Sequence, residues 1–83
     1  MNNKQVNRRI KQFLRDLSDP GTFHMRTKGG HFVCIADYAG MKRNFTLCWS
    51  ANSRYQIYAV RNVNRFVRSL PLENPPRFSL QKS

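Results

Sequence analysis

Fifteen lysines and arginines against four aspartates and glutamates give this 83-residue chain a formal charge of +11. A chain of that length forms one domain around one thin core. Self-repulsion at such a charge argues for a polyanionic partner, nucleic acid before an anionic membrane surface. No apolar run reaches the roughly 18 residues that span a bilayer, and the polar start lacks an apolar signal region, so neither membrane insertion nor secretion is expected. Two cysteines, Cys34 and Cys48, make no disulfide framework and point to a reducing cytoplasmic setting.

Residues 4–17 read as a helix, because Val6, Ile10, Phe13, Leu14 and Leu17 recur at helical spacing. Asn2 or Asn3 supplies the side chain that caps its start. Lys4, Arg8, Lys11 and Arg15 form a basic row opposite the apolar side. Asp19-Pro20-Gly21 ends the helix.

Residues 22–28 alternate, with Phe23, Met25 and Thr27 on one face and His24, Arg26 and Lys28 on the other. Gly29-Gly30 is a two-residue hairpin signal, since both positions of such a turn need positive φ. His31 to Tyr38 make a second strand, Ala39-Gly40 a second turn, and Lys42 to Trp49 a third strand.

The turns predict the register. Lys28 pairs with His31, Arg26 with Val33 and His24 with Ile35; Cys48, Thr46 and Asn44 then face His31, Val33 and Ile35 from the other side. One face carries Phe23, Met25, Phe32, Cys34, Ala36, Phe45, Leu47 and Trp49 and is expected under the helices. The other, mixed and basic, carries His24, Arg26, Lys28, His31, Thr46 and Cys48. Cys34 and Cys48 fall on opposite faces, and Cys34 reads as a core filler. A metal site wants three or four converging ligands, and only His24, His31 and Cys48 share that face, so neither metal nor cofactor is implied.

Residues 53–70 read as a second helix. Ser53 with Gln56 has the form of a capping box, and Pro71 lies just past the end. Ala59, Val63, Phe66, Val67 and Leu70 point to the core. Arg54, Arg61, Arg65 and Arg68 fall in a sector of roughly 60° on the opposite side. A row of planar, always-charged guanidiniums suits phosphate, and a solvated face is the blander alternative. Residues 71–83, with Pro75 and Pro76, read as an extended, flexible tail, although Leu72, Phe78 and Leu80 offer anchors. The expected domain is therefore residues 1–70. It is α+β, in the order α-β-β-β-α, with two helices on one face of a three-stranded antiparallel sheet.

His24 and His31 suggest acid/base chemistry, yet the register sets them roughly 13 Å apart at ~3.3 Å per residue. A single histidine must then suffice, and His31 is the better placed, following a Gly-Gly turn with Lys28 beside it. The segment Thr27-Lys28-Gly29-Gly30-His31 resembles the Lys-Gly-Ser/Gly-His element of HicA-like toxins, small proteins related in fold to the double-stranded RNA-binding domain. The element order agrees. So does the stretch Phe45-Thr46-Leu47-Cys48-Trp49-Ser50 leading into a closing helix with Asn62, Val63, Arg65, Val67 and Arg68. The resemblance covers most of residues 4–70. It departs where the family has a Gly-Trp/Phe element, for which Asp19-Pro20-Gly21-Thr22-Phe23 is the nearest equivalent, and in the number of arginines.

That resemblance implies RNA binding and metal-independent RNA cleavage by one histidine, here His31, with the RNA 2′-hydroxyl as nucleophile and Lys28 holding the phosphate. Without catalysis, the same surfaces imply an accessory nucleic-acid binder of a phage or plasmid. Double-stranded or structured RNA is the expected partner, with DNA as an alternative. An antitoxin or other acidic protein is a third.

Overall fold

The computed structural model describes residues 2–48 and 54–80. Its elements are α1 (Asn3–Leu17), β1 (His24–Lys28), β2 (His31–Tyr38), β3 (Met41–Cys48) and α2 (Tyr55–Arg68). The architecture is the expected α-β-β-β-α. The three strands form one antiparallel sheet in the order β1-β2-β3.

Helix α1 starts where its sequence can satisfy the first orphan amides. The Asn2 side chain accepts from the Gln5 amide, and the Gln5 side chain accepts in return from the Asn2 amide. Helix α2 begins differently. Arg54 is its N-cap residue, with no side-chain capping bond; Ser53 lies outside the described residues. Ser69 closes α2 by donating its amide to the Arg65 and Phe66 carbonyls, and Pro71 prevents continuation.

Both hairpins turn in two residues with positive φ, Gly29 (54°) with Gly30 (83°) and Ala39 (52°) with Gly40 (83°). That pair of signs suits the right-handed twist of the flanking strands. The resulting register is the one the turns predict: Lys28↔His31, Arg26↔Val33 and His24↔Ile35, then His31↔Cys48, Val33↔Thr46 and Ile35↔Asn44. Ala39 is the one non-glycine residue with positive φ among those described, and Asp19 holds it there. The Asp19 carboxylate accepts from the amides of Ala39 (3.1 Å) and Gly40 (2.8 Å), while its own amide donates to the Asp37 carbonyl. Thr22 completes this clamp. Its hydroxyl donates to the Asp19 carbonyl and accepts from the Asp37 amide, so Thr22 serves the clamp, Phe23 packs at the margin of the core, and β1 begins only at His24.

One hydrophobic cluster joins the layers: Val6, Ile10 and Leu14 of α1, Cys34 and Leu47 of the sheet, and Tyr55, Ala59, Val63 and Val67 of α2. Phe23, Phe32 and Phe45 pack at its margin as the alternation requires. A smaller cluster of Ala36, Tyr38 and Leu70 fills the end nearer the second hairpin. Met25 departs from expectation. It is 41% exposed, because α1 lies over β2 and α2 over β3, leaving every residue of β1 outside the helical cover. Trp49, expected on the covered face, lies outside the described residues.

The chain beyond α2 is extended, as the sequence suggests, but it is docked. Phe78 is 5% exposed and belongs to the main cluster. Its ring meets Phe13 edge-on at 5.2 Å. The Asn64 side chain brackets its backbone, accepting from the Phe78 amide at 2.7 Å and donating to its carbonyl at 3.0 Å. Residues 75–80 thus form a strap across the outer side of the helices, and the folded unit does not stop at Leu70. No helix among the described residues is long and apolar enough to cross a membrane.

Candidate nucleic-acid interface

The two helices run in the same direction, which decides where charge gathers. Their first turns touch: Gln56 Nε2 donates to Asn3 Oδ1 (3.2 Å), and the Tyr55 hydroxyl donates to the buried Asn7 Oδ1. Their last turns lie at the other end, where Asp19 caps the second hairpin and Arg43 reaches the Ser69 hydroxyl at 3.1 Å. The first hairpin, Lys28-Gly29-Gly30-His31, points the same way as the two helix N-termini, since β3 ends opposite His31 and leads into α2.

The carboxylates sit away from that end. Asp16 is in the last turn of α1, Asp19 caps the second hairpin, and Asp37 faces Lys42 beside it. Glu73 follows Leu72, which packs with the Tyr38 cluster. Neither helix has an acidic residue in its first turn. Among the described residues no acidic side chain of either helix's first turn offsets the partial positive charge of its N-terminus. Instead Lys4 and Arg54 add full positive charges there, an arrangement unfavourable for an isolated helix and favourable for a bound anion.

Lys28 and His31 occupy the terminal rung of the first hairpin, and both are exposed. No hydrogen bond fixes the His31 imidazole among the described residues. Arg26 lies on the same face two residues away, opposite Val33. His24 is at the far end of β1 opposite Ile35, so the sheet does not bring the two histidines together. No group of three or more histidine, cysteine or acidic side chains able to hold a metal gathers among the described residues.

The α1 row divides by height. Lys4 and Arg8 are exposed near the helix start. Lys11 and Arg15 lay their cations over aromatic rings, Lys11 Nζ at 4.8 Å from the centre of the Phe32 ring in β2 and the Arg15 guanidinium at 5.2 Å from that of Phe23, just before β1. These contacts desolvate one face of each cation, hold it in place and leave the rest for solvent. The α1 row thus runs along the β1 side of the molecule, next to the Lys28 hairpin.

Arg54, Arg61, Arg65 and Arg68 are exposed, as the wheel predicts. They do not merge with the α1 row. Arg61 and Arg68 face the strap and line a groove of about 470 Å³ with Pro75, Pro76 and Arg77. On α1 the strap-facing residues are Arg9, Gln12, Phe13 and Asp16, a different flank from Lys11 and Arg15. Sequence reasoning missed Arg77, because a segment read as a free tail gives no reason to pair its arginine with α2. The signal available was Phe78 beside it, the largest apolar residue in the segment.

Cys34 is buried as a free thiol, and burial pushes its pKa up to about 11, with Lys11 pulling weakly the other way. A protonated, enclosed thiol is a poor nucleophile, so Cys34 is a core residue. The Cα of Cys48 aligns with His31 as predicted, three rungs from the Cys34–Phe45 pair.

No protein-family model, curated protein sequence or solved structure matches the chain.

Proposed function

We propose that this protein binds structured RNA through the end built from the Lys28–His31 hairpin and the two helix N-termini, and that His31 acts there on the bound strand. The observation that carries the reading is an end with cations and no acidic side chain. Lys4, Arg8, Lys28 and Arg54 gather where both helix dipoles are positive, and the four acidic side chains lie elsewhere, three of them among the cations Arg15, Lys42, Arg43, Arg65 and Arg68 of the other end. Arg26, Lys11 and Arg15 extend the cationic surface along β1 and α1. Phosphates spaced along a duplex are the anions that suit such a distributed set of cations. The α-β-β-β-α order supports a dsRNA-binding-domain-like, HicA-like arrangement, and the free Cys34 thiol suits a cytoplasmic setting.

At a bound phosphodiester, the His31 imidazole, acting as the base, takes the proton of the 2′-hydroxyl. The 2′-oxygen attacks phosphorus, and the bond to the 5′-oxygen breaks. The products are a 2′,3′-cyclic phosphate and a 5′-hydroxyl, whose proton comes from the imidazolium or from water. Lys28, on the same rung, offsets charge on the phosphoryl oxygens.

The test is a mixed structured RNA incubated in EDTA with wild type or His31→Ala and resolved on a denaturing gel. Fragments with wild type alone support cleavage centred on His31. Intact RNA with both proteins, and a salt-sensitive shift on a native gel, retains binding and removes catalysis. Intact RNA with no shift removes both.

A further inference from the structure

The groove between α2 and the strap lies on a different flank from the hairpin end and has a different chemistry. Its floor is aliphatic, Ile57 and Val60, and its outer wall is Pro75-Pro76. Ile57 is 61% exposed, an open apolar side chain on a helix otherwise amphipathic. Three guanidiniums, Arg61, Arg68 and Arg77, rim the groove, and among the described residues its lining holds no carboxylate and no lysine. A second groove of about 510 Å³ shares Ile57, Val60 and Arg77 and continues the channel towards Leu80. Along α2 the pair runs from Gln56 to Arg68, about 18 Å at ~1.5 Å per residue.

We infer that this channel docks an acidic, amphipathic segment of a partner protein, with its apolar side chains on Ile57 and Val60 and its carboxylates on Arg61, Arg68 and Arg77. Protein-binding patches are enriched in arginine and depleted in lysine, as the described lining residues are here. Arginine forks bind carboxylates in two-point fashion. Single-stranded nucleic acid fits the lining less well: among the described residues its one aromatic ring, Phe78, is 5% exposed and packed on Phe13, so no open ring is offered on which a base stacks. A second copy of the chain, itself charged +11 with four acidic residues, matches three guanidiniums less well than an acidic segment does. The channel is built before anything binds: two prolines fix one wall, and the two Asn64 bonds to Phe78 hold the strap at its distance from α2.

The probe is a fluorescein-labelled helical peptide of about 12 residues, leucine on one face and glutamate on the other, long enough to fill the channel. It is titrated into the full chain at about 0.15 M salt, where long-range attraction is screened. Anisotropy reports affinity, and the Ile57 and Val60 methyl resonances report location. The expected result is binding that shifts both methyls. Ile57→Asp and Arg77→Glu each weaken it at least tenfold, and Lys28→Ala changes it less than twofold. An oligoglutamate of equal charge binding as tightly overturns the inference, because charge alone then suffices. So does a single-stranded RNA that shifts the two methyls where the peptide does not, and so does no binding. RNA affinity at the hairpin end is read in the same samples through Lys28→Ala, so failure of the groove and failure of the RNA reading are distinguishable.

Discussion

Replacing Phe78 by alanine tests whether the C-terminal strap is part of the folded core. The ring is 5% exposed, packs in the main cluster and meets Phe13 edge-on. Truncating a buried phenylalanine costs about 3–5 kcal/mol, within which an edge-to-face pair accounts for about 0.5–1.5. The site lies under a single strap that can partly collapse, so the lower figure, about 3 kcal/mol, is expected. In a domain of this size each kcal/mol moves Tm by about 4–8 °C, so Tm falls by about 15 °C. Circular dichroism melts and urea titrations of the full chain measure this. Asn64→Ala is the partner experiment, because it leaves the ring and removes both side-chain bonds to the strap. Its cost is about 1–2 kcal/mol. Because both changes release the same strap, the double variant loses less than the sum of the singles. A Phe78→Ala chain that melts within 2–3 °C of wild type, well below the shift expected of a buried ring, would refute the placement of residue 78 in the core.

Asp19→Asn removes the charge and one of the acceptors that hold the second hairpin, and costs about 1–2 kcal/mol in urea titrations. Ala39→Gly relieves a side chain held at φ 52° and raises stability by about 0.5 kcal/mol after the extra flexibility of unfolded glycine is counted; a loss in the same titration would contradict the strained turn. Cys34 links stability to alkaline pH. The fold favours the protonated thiol, so its contribution is complete below the ordinary value of 9.0 and is lost as pH rises towards about 11. Tyr38, pushed up to about 12 first by burial and then by the nearby Cys34, adds to the same trend at higher pH. Melts should be flat up to pH 9 with respect to these groups and decline above it, and Cys34→Ala should make the first part of that decline shallower. For RNA binding, Lys28→Ala should lower affinity and flatten the slope of log Kd against log salt by about 0.7–0.9, the release of about one counterion. An unchanged slope would remove Lys28 from the phosphate contacts.

Much of this fold is written in local chemistry. Two residues with positive φ close each hairpin, and a two-residue turn between alternating strands leaves one register. That is why Lys28 opposite His31, and His24 four positions away, are legible without any structure. The exposure of Arg54, Arg61, Arg65 and Arg68 follows from helical periodicity in the same way. Periodicity says which side of an element faces a core, and it does not say how far the covering element reaches. Met25 has the parity of a core residue and is 41% exposed, because two helices cover β2 and β3 and, among the described residues, no third element covers β1.

What the sequence by itself determined is the set of elements, their faces and the cationic character of the outer surfaces. These depend on neighbours a few residues apart. The tertiary structure alone decided which cations act together. Parallel packing of α1 and α2 brings Lys4 and Arg54 to the Lys28–His31 end and sends Asp16 and Asp19 to the other. The return of Phe78 to the core carries Arg77 to within one groove of Arg61 and Arg68. Both outcomes rest on contacts between residues far apart in the chain, Gln56 with Asn3 and Phe78 with Phe13. Spacing along the sequence carries no record of such contacts, since their energy comes from surfaces that meet only once the layers have packed.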